Sequence, residues 1–451
     1  MEREKNNFFG MFFSLYIVLV LQNVITLSVN LADNMMLGAY SEMSLSGVAA
    51  VNQIQFIFQQ IITALGDGMV ILSSQYWGKG RTEPMKKIAV MAMHFGIAAA
   101  VILFTAVSLL PSQILGLFTN EPAIVTEGIK YITLIRFTYL FFAVTQILLA
   151  TLRSTEVVKI AFWLSVMALV VNCGINYVLI YGKFGFPEMG VTGAAIGTLV
   201  ARVMETIVMI VYMVRKEKKL RLHLRDYLHF DTTLFVDYAK VTSPILLIQG
   251  LWGVNTAMQT AILGHMTAAA IAANSMASNL FLMVKSMAIG ASSAASVIIG
   301  KAIGAGDLMV VKKYAKTLQK MFICIGAIGG VILFFLRVPV LGLYNLSPEA
   351  KELANTFLII LSVVCVGMSY QMPTNTGIIR GAGSASFVVK VDLISIWGIV
   401  IPLSFIMAFV VKASPAVVVC CLNADQIFKC IPAFIKVNYG SWIKKLTREE
   451  V

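Results

Sequence analysis

Four polar residues recur at helical spacing inside a long apolar segment near the N-terminus. Asn23, Thr26, Asn30 and Asp33 are separated by three, four and three positions, which places them on one face of a helix. Lipid would penalise such a face, so we expect it to point into the protein. A carboxylate there, with limited water, could exchange protons or bind sodium. Asp33 is therefore the first candidate for an ion site; the alternative is an acid solvated at the outer end of its helix.

Two later apolar segments also carry polar residues at helical spacing. Asn172 and Asn176 are four positions apart and share a helical face, and Thr198 lies in the following segment. Arg202 and Glu205 are three positions apart in that same segment. Because this spacing brings side chains together on a helix, it favours a structural ion pair near the cytoplasmic half of the segment over a transport site.

Other side chains in the apolar segments have roles that their spacing leaves open. Asp67 ends a series of polar residues that recur every four positions, and is a candidate second protonatable acid or an interior hydrogen-bonding acid. The second half of the chain is polar but nearly free of acids within its apolar segments. Asp392 lies near the cytoplasmic entry of its segment, which favours a solvated structural role, and Lys285 could line a cleft or pair with an acid. The candidate substrate-cleft residues of this half are Gln249, Asn255, Gln259, Asn274, Lys285, Tyr370 and Gln371.

The composition indicates a membrane protein. Of the 451 residues, 59% are hydrophobic and 13% are charged, with a mean hydropathy of +0.85, whereas a soluble domain carries roughly 25% charged residues. The net charge of +13 lies in short segments between apolar runs and forms no basic stripe, which argues against a nucleic-acid binder. The sequence has no nucleotide-binding, metal-ligand or catalytic motif. We therefore expect a transporter without cofactors, driven by an ion or substrate gradient, and not an enzyme.

About twelve segments are long and apolar enough to cross a bilayer. They lie near 9–33, 46–74, 88–110, 129–151, 160–182, 189–214, 240–263, 269–300, 317–338, 353–378, 387–411 and 415–437. The basic residues, including the run Arg215–Arg225, fall in alternate loops together with both chain ends, and acidic residues dominate the other loops. By the positive-inside rule, this pattern predicts a multi-pass, all-α membrane protein with both termini in the cytoplasm.

An internal repeat predicts two homologous lobes. The pairs Gly38 and Gly264, and Lys86 and Lys312, are 226 positions apart, and Arg153 and Arg380 are 227 apart. Six helices per lobe make the repeats parallel, with a central cleft between them that suits alternating access. The predicted division is an N-terminal lobe at 1–214, a basic cytoplasmic linker at 215–238 and a C-terminal lobe at 239–451.

Several ordered motifs resemble those of multidrug and toxic compound extrusion (MATE) transporters. They are the run from Asn30 to Gly38, SSQYWGKGR (73–81) with its echo GKAIGAGD (300–307), the stretch from Asn172 to Arg202, IIRGAG (378–383), the pattern from Trp397 to Pro402, and GSWIKKLT (440–447). As an ordered set these motifs cover nearly the whole chain. The resemblance implies a V-shaped pair of six-helix lobes that export cationic or amphipathic organic compounds in exchange for H⁺ or Na⁺.

The resemblance also assigns roles to individual residues. It makes Asp33 the coupling acid of the N-terminal lobe, surrounded by Asn30, Asn172, Asn176 and Thr198. Relatives often carry Asp at position 176, where this chain has Asn. An Asn can ligate sodium but cannot take a proton, so the coupling ion stays open, and Na⁺ is the only metal that we expect the protein to bind.

A further departure concerns the C-terminal lobe. Relatives often carry Glu at position 249, where this chain has Gln, and no acid stands near Ser369–Gln371, where sodium-coupled relatives have one. Coupling through the N-terminal lobe alone resembles the DinF-like branch of the family. The alternative function is a flippase of a lipid or lipid-linked saccharide, which would use several basic residues in the cleft; this chain offers mainly Lys285. We expect a monomer in a bacterial cytoplasmic membrane.

Overall fold

The computed structural model describes residues 2–119, 121–228, 232–343 and 347–448, and all regular secondary structure in these residues is helical. The helices of the first half are α1 Glu2–Tyr40, α2 Glu42–Gly78, α3 Thr82–Leu109, α4 Pro111–Gly116, α5 Pro122–Ile135, α6 Thr138–Ser154, α7 Lys159–Ile180 and α8 Val191–Arg215. A short 3₁₀ helix, Leu224–Leu228, precedes the second half.

The second half of the chain is less regular than the first. Its helices are α9 Phe235–Gly264, α10 Ala268–Ala305, α11 Leu308–Leu343, α12 Pro348–Met372, α13 Ala385–Asp392, α14 Ile401–Phe405, α15 Pro415–Leu422, α16 Asp425–Phe428 and α17 Cys430–Asn438. Three π-helical segments interrupt them, at Pro373–Ile379, Leu393–Val400 and Ile406–Val410. Such widened turns are frequent at functional sites.

The sequence marks several of the helix starts. The side chain of Ser41 accepts a hydrogen bond from the backbone N–H of Ser44, and that of Thr267 accepts one from Ala270. Ser347 caps α12 in the same way and is followed by a proline, whose fixed φ suits the first turn. These caps satisfy N–H groups that a helix start leaves without intrahelical partners.

Within the described residues, ten helices are long and apolar enough to cross a membrane, and α5 with α6 forms an eleventh candidate, bent by 53° at residues 136–137. The predicted span 129–151 corresponds to this bent pair. The predicted span 240–263 corresponds to the 30-residue helix α9, which does not enter that count. The multi-pass, all-α fold predicted from the composition is therefore confirmed, with ten or eleven apolar spans where the sequence predicts about twelve.

The chain forms two compact units. One comprises residues 21–242, and the other comprises residues 1–20 together with 243–450. The start of α9 belongs to the first unit, where the Tyr238 hydroxyl donates to the Leu65 carbonyl at 2.9 Å. The start of α1 belongs to the second, where Phe8 packs against Tyr314. The lobe and linker boundaries drawn from the sequence stay a prediction, and linker residues 229–231 lie outside the described residues.

The segment after α8 folds around one buried carboxylate. Glu217 accepts hydrogen bonds from the backbone N–H groups of Lys219, Leu220 and Arg221 at 2.7–2.8 Å. The Lys219 ammonium donates to the Thr155 carbonyl at 2.6 Å. These contacts hold the first part of the predicted basic linker against the end of α6, inside the unit of residues 21–242.

Candidate ion-coupling site

Four of the five predicted ion-coupling residues form one hydrogen-bonded chain across α1, α7 and α8. The Nδ2 of Asn176 donates to Asp33 Oδ1 at 2.7 Å and to Asn172 Oδ1 at 3.2 Å. The Nδ2 of Asn172 donates in turn to the Thr198 hydroxyl at 3.2 Å. The polar stripe of α1 therefore meets the polar faces of two other helices, as an intramembrane polar face requires.

Close packing of α7 on α8 positions Asn176. A Cβ added at Gly197 would collide with Asn176 Oδ1, so only glycine lets the two helices approach this closely here. Asn176 is fully buried, and its Oδ1 accepts no hydrogen bond from the residues that the structure describes. A buried acceptor without a donor is costly. The Nδ2 of this amide faces Asp33, whereas the Oδ1 lies against Gly197.

A small polar cavity of about 30 Å³ adjoins this chain of hydrogen bonds. It is lined by Thr26, Val29, Asn30, Ser165, Ala168, Asn172, Thr198, Ala201, Arg202 and Glu205. Asn30, the fifth predicted residue, thus faces the cavity together with Asn172 and Thr198. A volume of roughly 10–15 Å³ suffices for one water molecule when polar partners surround it, so the cavity has room for one or two waters.

Arg202 and Glu205 form part of the cavity wall. Arg202 Nη1 donates to Glu205 Oε2 at 2.7 Å, so the structure contains the ion pair that the sequence predicts. The guanidinium also lies 5.3 Å from the ring centroid of Phe142. Glu205 is buried. Glu205 is already paired with Arg202. Asp33 is therefore the acid near the cavity that has no basic partner in direct contact among the described residues.

The structure adds Tyr131, which the sequence analysis missed. This buried residue of α5 lies beside Thr198 and within electrostatic range of Asp33 and Arg202. A single tyrosine in an apolar segment cannot be distinguished from a packing aromatic by spacing. Only the packing of α5 against α8 shows that its hydroxyl belongs to the polar cluster.

Asp67 lies outside this cluster. Its Oδ1 accepts a hydrogen bond from Arg153 Nη2 at 2.7 Å, and both side chains are about one-fifth exposed. Of the two roles that the sequence left open for Asp67, this geometry favours an interior acid held by a partner over a second protonatable site.

The predicted cleft residues of α9 and α10 form separate local pairs. Gln259 Nε2 donates to Asn255 Oδ1 at 3.4 Å, and Ser278 donates to Asn274 Oδ1 at 3.4 Å. Each pair is four residues apart on one helix. Gln249 is half-buried on α9. These contacts orient the amides along their own helices and do not assemble them into one site.

The predicted residues of α12 have partners in other helices. The Tyr370 hydroxyl donates to Gln319 Oε1 at 2.7 Å, and Gln371 Nε2 donates to Gln426 Oε1 at 2.7 Å. Gln371 thereby joins a polar network that includes residues the sequence analysis did not single out.

The expectation that the spans of the second half are nearly free of acids is wrong. Asp425 is buried in the last predicted span, and Lys429 Nζ lies 3.0 Å from it and 2.7 Å from Asp392. Asp392 is therefore held in an ion pair and is not simply solvated. Lys285 lies with its ammonium 5.1 Å from the ring centroid of Trp252. The sequence did contain a signal for the pairing of Asp425 with Lys429, because an acid and a base four positions apart inside an apolar segment share a helical face.

Comparison with known families agrees with this architecture. The family model described as MatE matches residues 19–178 and 244–406, which together make up most of the chain and fall in both of its halves. The chain belongs to the MATE family. It is accordingly an integral membrane transporter and not an enzyme, and the resemblance drawn from the motifs is confirmed at family level. The DinF-like branch stays a prediction.

Relatives and solved structures cover nearly the full length of this MATE transporter. A probable multidrug resistance protein NorM of Thermotoga maritima is 24% identical over 433 residues, covering 95% of this chain and 92% of that protein. The uncharacterized transporter YisQ of Bacillus subtilis is 24% identical over 421 residues, covering 92% and 90%. The crystal structure of a MATE protein in complex with MaL6 matches with a TM-score of 0.87 at 17% identity, covering 95% of each chain. The MATE transporter VcmN of Vibrio cholerae in its bent form matches with a TM-score of 0.84 at 15% identity, covering 96% of this chain and 97% of that one.

Proposed function

We propose that this MATE transporter exports cationic or amphipathic organic compounds in exchange for H⁺ or Na⁺, with Asp33 as the coupling residue. The observation that supports this proposal is the contact of Asp33 with Asn176, beside an amide oxygen that has no donor among the described residues. The names of relatives described as probable multidrug resistance proteins support the substrate class.

Exchange follows from the cost of an uncompensated charge in a low-dielectric interior. With no ion bound, the Asp33 carboxylate is held by one amide donor, and a cation, a proton or a cationic substrate lowers its energy. If ion and substrate stabilise opposite orientations of the transporter, binding of one drives release of the other by alternating access. The resemblance to the DinF-like branch is consistent with one acidic site in this unit.

The residues around Asp33 are compatible with either ion. Sodium prefers several oxygen ligands, and the carboxylate, the Asn176 and Asn172 amide oxygens and the Thr198 hydroxyl are all nearby. A proton needs only the carboxylate and a path, for which the adjacent polar cavity has room for water. The proposal therefore keeps both ions and assigns the choice to experiment.

The test is export of a fluorescent organic cation from proteoliposomes, with a proton gradient and a sodium gradient imposed separately. Asp33→Asn is expected to abolish export driven by the effective gradient, because an amide cannot change its charge with the ion. Asp307→Asn, which alters an exposed carboxylate at the start of α11, serves as the matched control and should export normally. Unchanged export by Asp33→Asn would refute the assignment of the coupling residue.

A flippase of a lipid or lipid-linked saccharide is the second candidate. Lys285, a basic side chain in a membrane span beside Trp252, favours it, because such substrates carry phosphate groups. Lys429 offers less, since two aspartates already hold its charge. If intact protein exports the organic cation under neither the proton gradient nor the sodium gradient, the flippase is favoured.

The proposal includes the membrane location, the orientation and the oligomeric state of the transporter. The bacterial origin of the relatives supports a cytoplasmic membrane. We infer from the loop charges that both termini face the cytoplasm, and we propose that a monomer carries out transport.

A further inference from the structure

The unit of residues 1–20 and 243–450 contains a buried cluster of charges that the proposed function does not use. Lys429 Nζ lies 2.7 Å from Asp392 Oδ1 and 3.0 Å from Asp425 Oδ2. The side chains of Lys429 and Asp425 are 4% and 5% exposed. One ammonium thus bridges two carboxylates. Lys285 acts on Asp425 electrostatically, but its ammonium lies over the Trp252 ring and forms no ion pair within the described part of the chain.

A chain of amide side chains leads away from this cluster. Gln426 Nε2 donates to Asp425 Oδ2 at 2.8 Å, Gln371 Nε2 donates to Gln426 Oε1 at 2.7 Å, and Asn375 Nδ2 donates to Gln371 Oε1 at 3.1 Å. The chain ends at Asn375, which is 3% exposed and whose Oδ1 accepts no hydrogen bond from the described residues. A buried acceptor at the end of such a chain is a place for a donor that comes and goes.

Irregular helix geometry converges on the same residues. Asn375 lies within the π-helical segment Pro373–Ile379, and Asp392 immediately precedes the segment Leu393–Val400. Asp425 begins α16 after the break that separates it from α15. Broken or widened helices in membrane transporters are characteristic of ion and substrate sites, because they free backbone groups and re-aim side chains.

The internal repeat relates this cluster to the cavity of the other unit. The offset of 227 residues that relates Arg153 to Arg380 also relates three cavity-lining residues to the three charged residues, since 392 − 165, 425 − 198 and 429 − 202 all equal 227. The pairs are Ser165 and Asp392, Thr198 and Asp425, and Arg202 and Lys429. Equivalent positions therefore hold neutral hydroxyls and an arginine in one unit, and two acids with a lysine in the other.

We propose that Asp392, Asp425 and Lys429 form a second proton-binding site, separate from Asp33. Asp425 is buried and Asp392 is 21% exposed, and together they carry one negative charge more than the shared Lys429 ammonium neutralises. Lys285 forms an ion pair with neither carboxylate among the described residues. A proton from water can therefore add to an oxygen of Asp425 and leave again. Lys429 then pairs with Asp392 alone. Sodium is disfavoured here because the Lys429 ammonium already occupies the space between the carboxylates.

The surroundings define what else could titrate at this site. The titratable groups on neighbouring helices are Lys285 on α10, Tyr370 on α12 and Cys430 on α17. The Tyr370 hydroxyl donates a hydrogen bond to Gln319, and the Cys430 thiol donates one to the Gly367 carbonyl. Lys285 acts electrostatically on Asp425 and Lys429 and carries no carboxyl group, so a change at Asp425 tests the carboxyl signal proposed for that residue.

Infrared difference spectroscopy of the purified, full-length chain tests this site directly. The carbonyl-stretch band of protonated carboxyl groups is followed above about pH 6, where exposed carboxyl groups, whose ordinary pKa values are about 3.9–4.3, have ionised. The Asp33→Asn background removes the first site. In that background we expect a titrating band that Asp425→Glu shifts in frequency and that Asp425→Asn abolishes. Asp67→Asn, which removes a part-buried acid with its own arginine partner, is the matched control and should leave the band unchanged.

The outcomes are decisive and do not depend on the export assay. A band that persists unshifted in both Asp425 variants, or no titrating band in the Asp33→Asn background, overturns the second site. Because the readout is proton binding by the purified protein, its failure leaves the Asp33 assignment unaffected. If Asp425→Asn does not fold, Asp425→Glu alone still tests the proposal through the band shift.

Discussion

Gly197→Ala tests whether the Asn176 amide controls the coupling site. The added methyl group would occupy the position of Asn176 Oδ1, and Cγ of the same side chain lies only 3.1 Å from the new carbon. The side chain must therefore rotate away. Rotation removes the 2.7 Å hydrogen bond to Asp33 and the 3.2 Å hydrogen bond to Asn172 without changing any ionisable group.

The expected magnitude follows from the bond to Asp33. A hydrogen bond to a charged group contributes about 1.5–3 kcal/mol, and each 1.4 kcal/mol changes an equilibrium constant about tenfold. If the coupling ion is H⁺, the carboxylate loses its donor and the protonated form is favoured, so half-maximal export moves to higher pH by about 1–2 units. If the ion is Na⁺, an oxygen ligand is lost, and the sodium concentration for half-maximal export rises by about 10- to 100-fold, which is the equivalent of 1–2 pH units.

The assay is gradient-driven export of a fluorescent cation from proteoliposomes, measured across a range of pH and sodium concentration. Gly174→Ala is the matched control, because it adds a methyl group to the same helix as Asn176 where a Cβ would meet nothing within 4 Å. Wild-type ion dependence in Gly197→Ala, with Gly174→Ala also normal, would refute the reasoning that Asn176 and Asp33 act as one site.

Two further predictions concern stability and local order. Asp67→Asn and Arg153→Gln should each destabilise the protein by about 3 kcal/mol, because each removes one partner of a part-buried ion pair. The double variant should recover much of the loss in thermal unfolding in detergent; additive losses would contradict the pairing. Glu217→Ala removes the acceptor of three backbone N–H groups and should speed hydrogen exchange at 219–221 about tenfold or more, with export unchanged. Unaltered exchange there would contradict the described contacts.

Membrane residence and helical class follow from the sequence because they depend on quantities that accumulate along the chain. Apolar runs of about 20 residues are read directly, and bilayer thickness converts them to spans. The bent pair α5 and α6 shows the limit of that reasoning. The apolar run at 129–151 looks like one span, yet its helices meet at 53°, and run length carries no information on such a bend.

The proposed coupling site was predictable in part. Spacing placed Asn172 and Asn176 on one face and made Asp33 the end of a polar stripe, because the period of an α-helix orders side chains within one helix. Spacing did not reveal the cavity beside them or Tyr131, which depend on how α5, α7 and α8 pack. The resemblance to the family grouped Asn172, Asn176 and Thr198 around Asp33, and the structure gives the distances between them.

The charge cluster of the second half shows the same division most clearly. Asp425 and Lys429 are four positions apart, so their proximity was readable from the sequence alone. That Asp392 joins them from 37 residues away, and that Gln371 and Asn375 extend the network, was decided by tertiary packing. The period of a helix fixes which side chains share a face, but not which faces of different helices meet, because that depends on how whole surfaces fit together.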